Sequence, residues 1–260
     1  MKTTIYWFSG TGNSWAAARS LAAELGDVTL TAIPQAIGQP LPYADCVGIV
    51  CPVYAFGLPR IVREFAQTVP AGPETYCFSV VTMGGMPGGP HRQLRAILRG
   101  HGGDLASGWS VAMPGNYTPL YGAVPEAKQR QLLGKACERI KRIAEQVRRG
   151  DRGHYEDSMR LFAWLGAAVN RRGVEEFRKA GPKFRVDPSC THCGICAKVC
   201  PVGNIVMKDG RPTWSDKCEQ CMACLQWCPV EAIQFGRRTA GRRRYRHPEF
   251  KASDFFLKTP

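Results

Sequence analysis

Eight cysteines fall between Cys190 and Cys228, in two runs of one pattern. The first is Cys190, Cys193, Cys196 and Cys200, followed by Pro201; the second is Cys218, Cys221, Cys224 and Cys228, followed by Pro229. Thiolates at i, i+3 and i+6 can wrap a small loop around one corner of an iron–sulfur cubane, with the fourth lying just beyond on a helix. In a two-cluster arrangement the fourth cysteine of each run ligates the other cluster. The predicted sets are therefore Cys190, Cys193, Cys196 and Cys228, and Cys200, Cys218, Cys221 and Cys224. Small or apolar residues fill the gaps (Gly194, Ile195 and Ala197; Met222, Ala223 and Leu225), which keeps water from the sulfurs. Zinc instead takes a closed tetrahedron, usually from two separated Cys-x-x-Cys knuckles, and these runs do not have that spacing.

A second run with chemistry in it is Phe8-Ser9-Gly10-Thr11-Gly12-Asn13-Ser14. It stands at the end of a strand-like segment and directly before a helical one. Hydroxyls at 9, 11 and 14, glycines at 10 and 12 and a helix N-terminus together make an anion cradle. No Lys or Arg lies between Lys2 and Arg19, which suits a flavin monophosphate held by neutral donors. A Walker A loop would need Gly-Lys-Ser/Thr, and a dinucleotide fingerprint would need glycine where Trp15 stands.

These residues need elements to position them. Residues 1–150 alternate strand-like apolar runs with helical patterns, as an α/β domain with a parallel sheet does. Strands are expected at Thr3–Ser9, Val28–Ile33, Cys46–Tyr54, Thr75–Met83 and Leu105–Met113. Helices are expected at Asn13–Leu25, from Pro59 to about Val69, at Pro90–Leu98 and at Pro125–Arg149. Residues 151–183 read as a helical connector, with Met159–Val169 as its helix packing between two domains. Residues 184–236 form the cysteine module, in which Asn204–Met207 and Ala232–Phe235 supply short strands. Residues 237–260 are a basic tail.

The chain has 260 residues and a formal charge of +14, to which the tail contributes eight Lys/Arg against two Asp/Glu. No apolar stretch is long enough to span a membrane. Met1–Tyr6 runs into a strand without a signal-peptide core, which reads as a cytoplasmic chain. In that compartment twelve cysteines mean metal or redox chemistry rather than disulfides. Cys46, Cys51, Cys77 and Cys137 read as buried inert thiols, and His91 and His101 as surface or capping groups. Six arginines in Arg237–Arg246 suit a solvated run, an acidic redox partner or contact with the protein's own domains. No recognition fold accompanies them, so nucleic acid is not implied.

Across about 50 residues the cysteine module resembles the bacterial two-cluster [4Fe–4S] ferredoxins, matching both motifs at every ligand position. At the end of the first strand, Ser9–Ser14 resembles the flavodoxin phosphate loop. The whole chain resembles the flavodoxin–ferredoxin fusion proteins of anaerobes. That implies an α/β flavodoxin-like, doubly wound, five-stranded parallel sheet, followed by a small α+β two-cluster ferredoxin-like domain. The implied cofactors are FMN and two [4Fe–4S] clusters.

In such folds the flavin lies beyond the carboxyl ends of the strands. Ring contacts are then expected from Pro52, Val53, Tyr54, Phe56 and Gly57 after the third strand. Thr82, Met83, Gly84 and Gly85 would follow from the fourth, with Asn116-Tyr117-Thr118 covering the ring. The implied function is electron transfer between clusters and flavin, and on to a redox protein. The basic charge departs from the acidic character usual in both families and favours an acidic partner. The alternatives are an FMN-dependent reductase of a small-molecule acceptor, which needs a pocket above the flavin built by 115–124 and the 151–183 connector, and a redox-sensing regulator. An oligomer is compatible with all three.

Overall fold

The computed structural model describes residues 2–256. Its first half is a five-stranded parallel sheet of β1 (Thr3–Trp7), β2 (Val28–Ala32), β3 (Cys46–Pro52), β4 (Tyr76–Met83) and β5 (Leu105–Ala112), in the order β2-β1-β3-β4-β5. This is the flavodoxin-like strand order, with its switch point between β1 and β3. The connecting helices are α1 (Asn13–Leu25), α2 (Ile33–Ala36), α3 (Arg60–Ala66), α4 (Pro90–Arg99) and α5 (Glu126–Arg148).

Side chains alternate across the strands, as a period of two requires. Ile5, Trp7, Val50, Phe78 and Trp109 pack in one core with Leu21 of α1 and Ile143 of α5. Tyr6, Phe8, Val47, Ile49 and Cys51 pack in the other with Ile61 and Phe65 of α3 and Leu94 of α4. Both faces are covered, so β3 reads as an unbroken apolar run. Gly48 is required within it, because a Cβ there would stand 2.4 Å from the Phe78 ring.

Two expectations about single residues are corrected. Cys137 is exposed on α5, not buried. His91 is fully buried, not a surface group; its Nδ1 lies 2.7 Å from Ser79 Oγ on β4, and its Nε2 3.4 Å from Ser110 Oγ on β5. Burial pushes its imidazole down to about 3.

The connector helix α6 (Arg160–Arg178) runs well past the apolar segment that announced it. The side chains of residues 160–165, 167 and 168 lie outside the described set, so the packing expected of them is not addressed. Farther along, Asn170 Nδ2 donates to the carbonyls of Tyr54 (2.8 Å) and Leu58 (3.2 Å) and pins α6 to the turn after β3.

The cysteine module follows as β6 (Phe184–Val186), α7 (Ile195–Lys198), β7 (Ile205–Lys208), β8 (Arg211–Trp214), α8 (Ala223–Gln226) and β9 (Ile233–Phe235). β6 pairs with β9 and β7 with β8, each antiparallel. The expected strands at 204–207 and 232–235 are β7 and β9; their partners β6 and β8 carried no cysteine to announce them. The short helices α7 and α8 hold the third cysteine of each run, and the fourth follows the turn beyond rather than lying on a helix.

The backbone itself repeats at an offset of 28 residues, the interval from Cys190 to Cys218. Left-handed residues recur at His192 and Gln220, at Gly194 and Met222, and at Gly203 and Glu231. Four of these six are not glycine, so the wrapped loop rather than residue preference imposes the conformation.

Residues 237–256 of the basic tail form a strap against the rest of the protein. Tyr245 is 2% exposed, takes a bond from its backbone N–H to Gln226 Oε1 (2.8 Å) and donates from its hydroxyl to Asn13 Oδ1 (2.6 Å). The His247 N–H donates to Thr11 O at 2.9 Å. Among the described residues no helix is long and apolar enough to cross a membrane.

Candidate functional site

A cavity of ≈ 380 Å³ opens at the carboxyl ends of β1, β3, β4 and β5. The turn from β1 into α1 supplies Ser9, Gly10, Thr11, Asn13 and Ser14 to its wall. Their hydroxyls are already oriented by the protein. Ser14 Oγ meets Thr82 Oγ1 at 2.7 Å, and Thr11 Oγ1 accepts from Asn116 Nδ2 at 2.7 Å. Ser9 Oγ accepts from the Gly12 N–H at 3.0 Å, which shapes the turn. Gly12, at φ +105°, lies off the wall, and a Cβ on it would stand 2.6 Å from His247 Cβ in the strap. A cluster of oriented hydroxyls at the N-terminus of a 13-residue helix fits a phosphate.

The carboxyl ends of β3 and β4 and the turns after them bring Pro52, Val53, Tyr54, Phe56, Thr82, Met83, Gly84 and Gly85 to the same cavity. Gly57 is not in the wall. It closes a tight turn with Tyr54 through two backbone bonds of 2.9 and 3.0 Å, and Ala55 and Phe56 within it are left-handed. That conformation is costly for residues carrying a Cβ and is held by Gly88, which approaches the Phe56 carbonyl too closely to accept a side chain. The strain holds Phe56, 41% exposed, at the cavity mouth. Five of the exposed large apolar side chains, Phe56, Met86, Leu120, Tyr121 and Val169, belong to this rim. Residues after β5 also line it, as expected for Asn116 and Tyr117, whereas Thr118 does not; Leu120 and Tyr121, and Val169 and Phe177 of α6, lie in the two segments expected to build a pocket there, and Met86 joins them from the loop after β4.

The eight cysteines gather into two groups around two small voids. Cys190, Cys193, Cys196 and Cys228 line one, and Cys200, Cys218, Cys221 and Cys224 line the other. Each group therefore takes its fourth member from the other run. Backbone N–H groups already point at sulfur: Asn204 at Cys200 Sγ (3.2 Å), Gln220 at Cys218 Sγ (3.3 Å) and Ala232 at Cys228 Sγ (3.3 Å).

Two side chains in the wall of the second void, Asn204 Nδ2 and Trp214 Nε1, are buried donors with no partner. Orphaned donors around four thiols fit a sulfur-rich acceptor such as an iron–sulfur cluster. Burial pushes the Cys196 and Cys218 thiols up to about 11 and raises Cys221 and Cys224 far above the usual range. They become thiolates only by binding a cation. Among the described residues, no three His, Cys, Asp or Glu side chains converge on one point as a single metal ion requires.

The two groups differ in exposure. In the first, Cys193 is exposed and Cys190 half-buried beside the buried Cys196 and Cys228; in the second, Cys200, Cys218 and Cys224 are buried and Cys221 is half-buried. The second is also the one beside the flavin-sized cavity, because Cys221 stands in both walls. A Cβ on Gly10 would come within 2.6 Å of the Cys221 carbonyl oxygen, so glycine is needed for that approach. Tyr117 donates from its hydroxyl to Gln220 Oε1 at 2.6 Å, and Trp227 Nε1 donates to Gly10 O at 2.9 Å. Tyr54 Oη is buried without a partner, and that burial raises its phenol well above the usual range. Glu219, next to Cys218, is 2% exposed at its side chain and faces Arg60 Nη2 at 2.7 Å. Burial pushes its carboxyl up to about 7 although Arg60 opposes the rise.

Residues 189–233 match the family model of the 4Fe-4S dicluster domain. The "Ferredoxin-like protein in vnf region" of Azotobacter vinelandii is 42% identical over 48 residues, which cover 16% of this chain and 74% of that protein. Its counterpart in Azotobacter chroococcum mcd 1 matches equally. Among solved structures, a flavodoxin from the domain Archaea aligns at TM-score 0.38 and 14% identity, over 57% of this chain and 99% of that one. A short-chain flavodoxin associated with a non-canonical PDU bacterial microcompartment aligns at TM-score 0.40 and 14% identity, over 58% and 98%.

Proposed function

This chain is a flavodoxin–ferredoxin fusion, and from that premise we propose that it carries electrons between two [4Fe–4S] clusters and FMN, and on to a redox partner. The observation that carries this reading is Cys221, a single residue in the wall of both the flavin-sized cavity and the inner cysteine void. When bound, clusters supply one-electron steps and a flavin supplies one- or two-electron steps, so one chain can join the two currencies.

The residues have separate tasks in this reading. Cys190, Cys193, Cys196 and Cys228 hold the outer cluster near solvent, where a donor can reach it. Cys200, Cys218, Cys221 and Cys224 hold the inner one in a dry setting, with Asn204, Gln220 and Trp214 giving N–H bonds to sulfur. Ser9, Gly10, Thr11, Asn13 and Ser14 hold the FMN phosphate, while Gly12 sets the turn. Pro52, Val53, Tyr54, Phe56, Thr82, Met83, Gly84 and Gly85 surround the ring, and Gly57 fixes the turn that presents Tyr54 and Phe56. The apolar rim of Phe56, Met86, Leu120, Tyr121 and Val169 is the surface offered to the partner. The positive charge of the chain favours an acidic one.

A second reading, reduction of a small-molecule acceptor, has its own support. Leu120, Tyr121, Val169 and Phe177 extend the cavity wall beyond the sheet and could shelter an acceptor.

Anaerobic stopped-flow on the loaded protein tests the wiring. Flavin reduction by pre-reduced clusters is expected at a rate independent of protein concentration, as within one molecule. A rate that rises in proportion to concentration overturns it. Saturable reoxidation by an acidic redox protein supports the carrier, and the same behaviour with a small quinone or nitroaromatic alone supports the reductase.

A further inference from the structure

The arginine strap closes a second cleft, of ≈ 370 Å³, that shares no lining residue with the flavin-sized cavity. Arg242, Arg243, Arg244 and Arg246 line it together with the start of α5 and two carboxylates, Glu126 and Glu231. Four cations against two anions leave an excess of positive charge. The helix adds to it: α5 has 23 residues and begins after Pro125, which gives no side-chain cap. The unanswered N–H groups of its first turn and the positive end of its dipole therefore lie at the cleft.

Arg244 is the informative member. Its side chain is 3% exposed, and its Nη2 donates to Ile233 O (3.2 Å) and Gln234 Oε1 (3.0 Å). Its Nε and Nη1 are buried with no hydrogen-bond partner, the Glu231 carboxylate standing 3.6 Å from Nε. A guanidinium withdrawn from water with donors unanswered is costly, and an anion in the cleft it lines offsets that cost.

We propose that this cleft binds a small phosphate-bearing anion of at least two charges, held by Arg243, Arg244, Arg246 and the N-terminus of α5. Tetrahedral phosphate oxygens accept from forked guanidinium groups and from helix N–H groups together. An acidic protein surface would meet the exposed Arg243 and Arg246 and leave the recessed Arg244 unanswered. The bound anion would also tie two working parts of the molecule. Arg242 Nη1 donates to Thr118 O in the loop that covers the flavin-sized cavity, and Arg244 grips the strand that follows Cys228.

Titration calorimetry of the cofactor-loaded protein with inorganic pyrophosphate, and separately with ADP, tests this. One saturable site per chain is expected, weakened about tenfold or more in Arg243→Gln/Arg246→Gln, since each lost charge-assisted bond costs roughly a factor of ten. The charge-matched control Arg171→Gln/Arg172→Gln, on exposed positions of α6, is expected to bind as the parent does. Pyrophosphate binding without ADP binding identifies the simple anion, and tighter ADP binding identifies a nucleotide. Equal weakening in both variants, no weakening in either, or binding of a polyglutamate peptide that pyrophosphate does not displace overturns the proposal.

Discussion

Cys221 lies at the contact between the two halves of the chain, and its surroundings raise its thiol well above the usual range. Cys221→Ala is expected to lower iron from about eight to about four per chain while the outer set stays filled, as metal analysis and cluster EPR can check. The crossed pairing gives a sharper test. Cys200→Ala/Cys218→Ala removes two members of one set and should leave about four irons, whereas Cys200→Ala/Cys228→Ala strikes both sets and should leave almost none. If both pairs lose all the iron, each run holds its own cluster. At the other cofactor site, Ser14→Asp sets a carboxylate against the phosphate cradle and removes the bond to Thr82. Flavin affinity should fall by about tenfold or more, measured as flavin retained on gel filtration.

At the scale of elements, α4 is joined to β4 and β5 through His91, whose ring lies between Ser79 and Ser110. The folded protein keeps this imidazole neutral down to about pH 3, while the unfolded chain takes the proton near pH 6.5. Its contribution is therefore intact above pH 6.5 and is lost as pH falls through the window from 6.5 to 3. Between pH 7 and 5 that loss is about 2 kcal/mol, which His91→Gln should remove from the pH dependence of denaturant unfolding. The wrapped loops of the cysteine module make a different demand. Gly194, at φ +70°, has open space where a Cβ would stand. Gly194→Ala is therefore expected to cost about 1 kcal/mol from backbone strain alone, with the iron content unchanged. Its repeat counterpart Met222 bears the same strain because its side chain is 2% exposed in the module core.

Across the whole molecule, the phosphate turn, the inner cysteine loop and the strap are packed into one block. Gln226 Nε2 donates to Asn116 O and Thr118 Oγ1, both at 2.6 Å, and Trp227 Nε1 reaches Gly10 O. This packing makes the distance between redox sites a property of the fold rather than of a linker. Gly10→Val is expected to push the Cys221 backbone away, slowing flavin reduction by pre-reduced clusters while iron stays at about eight per chain. Trp227→Phe, which loses a single hydrogen bond, should cost about 1 kcal/mol of stability and slow the transfer less. Equal transfer rates in the parent and Gly10→Val would mean that this contact does not set the path.

The cysteine spacing announced which cysteines share each void, and strand periodicity with the Ser9–Ser14 run announced the sheet and a hydroxyl-rich turn in the cavity wall. These are local or periodic signals: a thiol every third residue, an apolar side chain every second, a hydroxyl cluster where a strand meets a helix. Such patterns are written in consecutive residues and survive without knowledge of the rest of the chain. The burial of His91 and the exposure of Cys137 were not legible, and the folding back of the arginine tail was one of several open readings, because each depends on which distant surface a residue meets. The segments 115–124 and 151–183 were expected at the cavity, but which of their side chains reach it was not legible, nor was the sharing of Cys221 by cavity and void. Spacing along the chain fixes what a group can bind; only packing between segments more than a hundred residues apart, as when Trp227 reaches Gly10, decides what it binds next to.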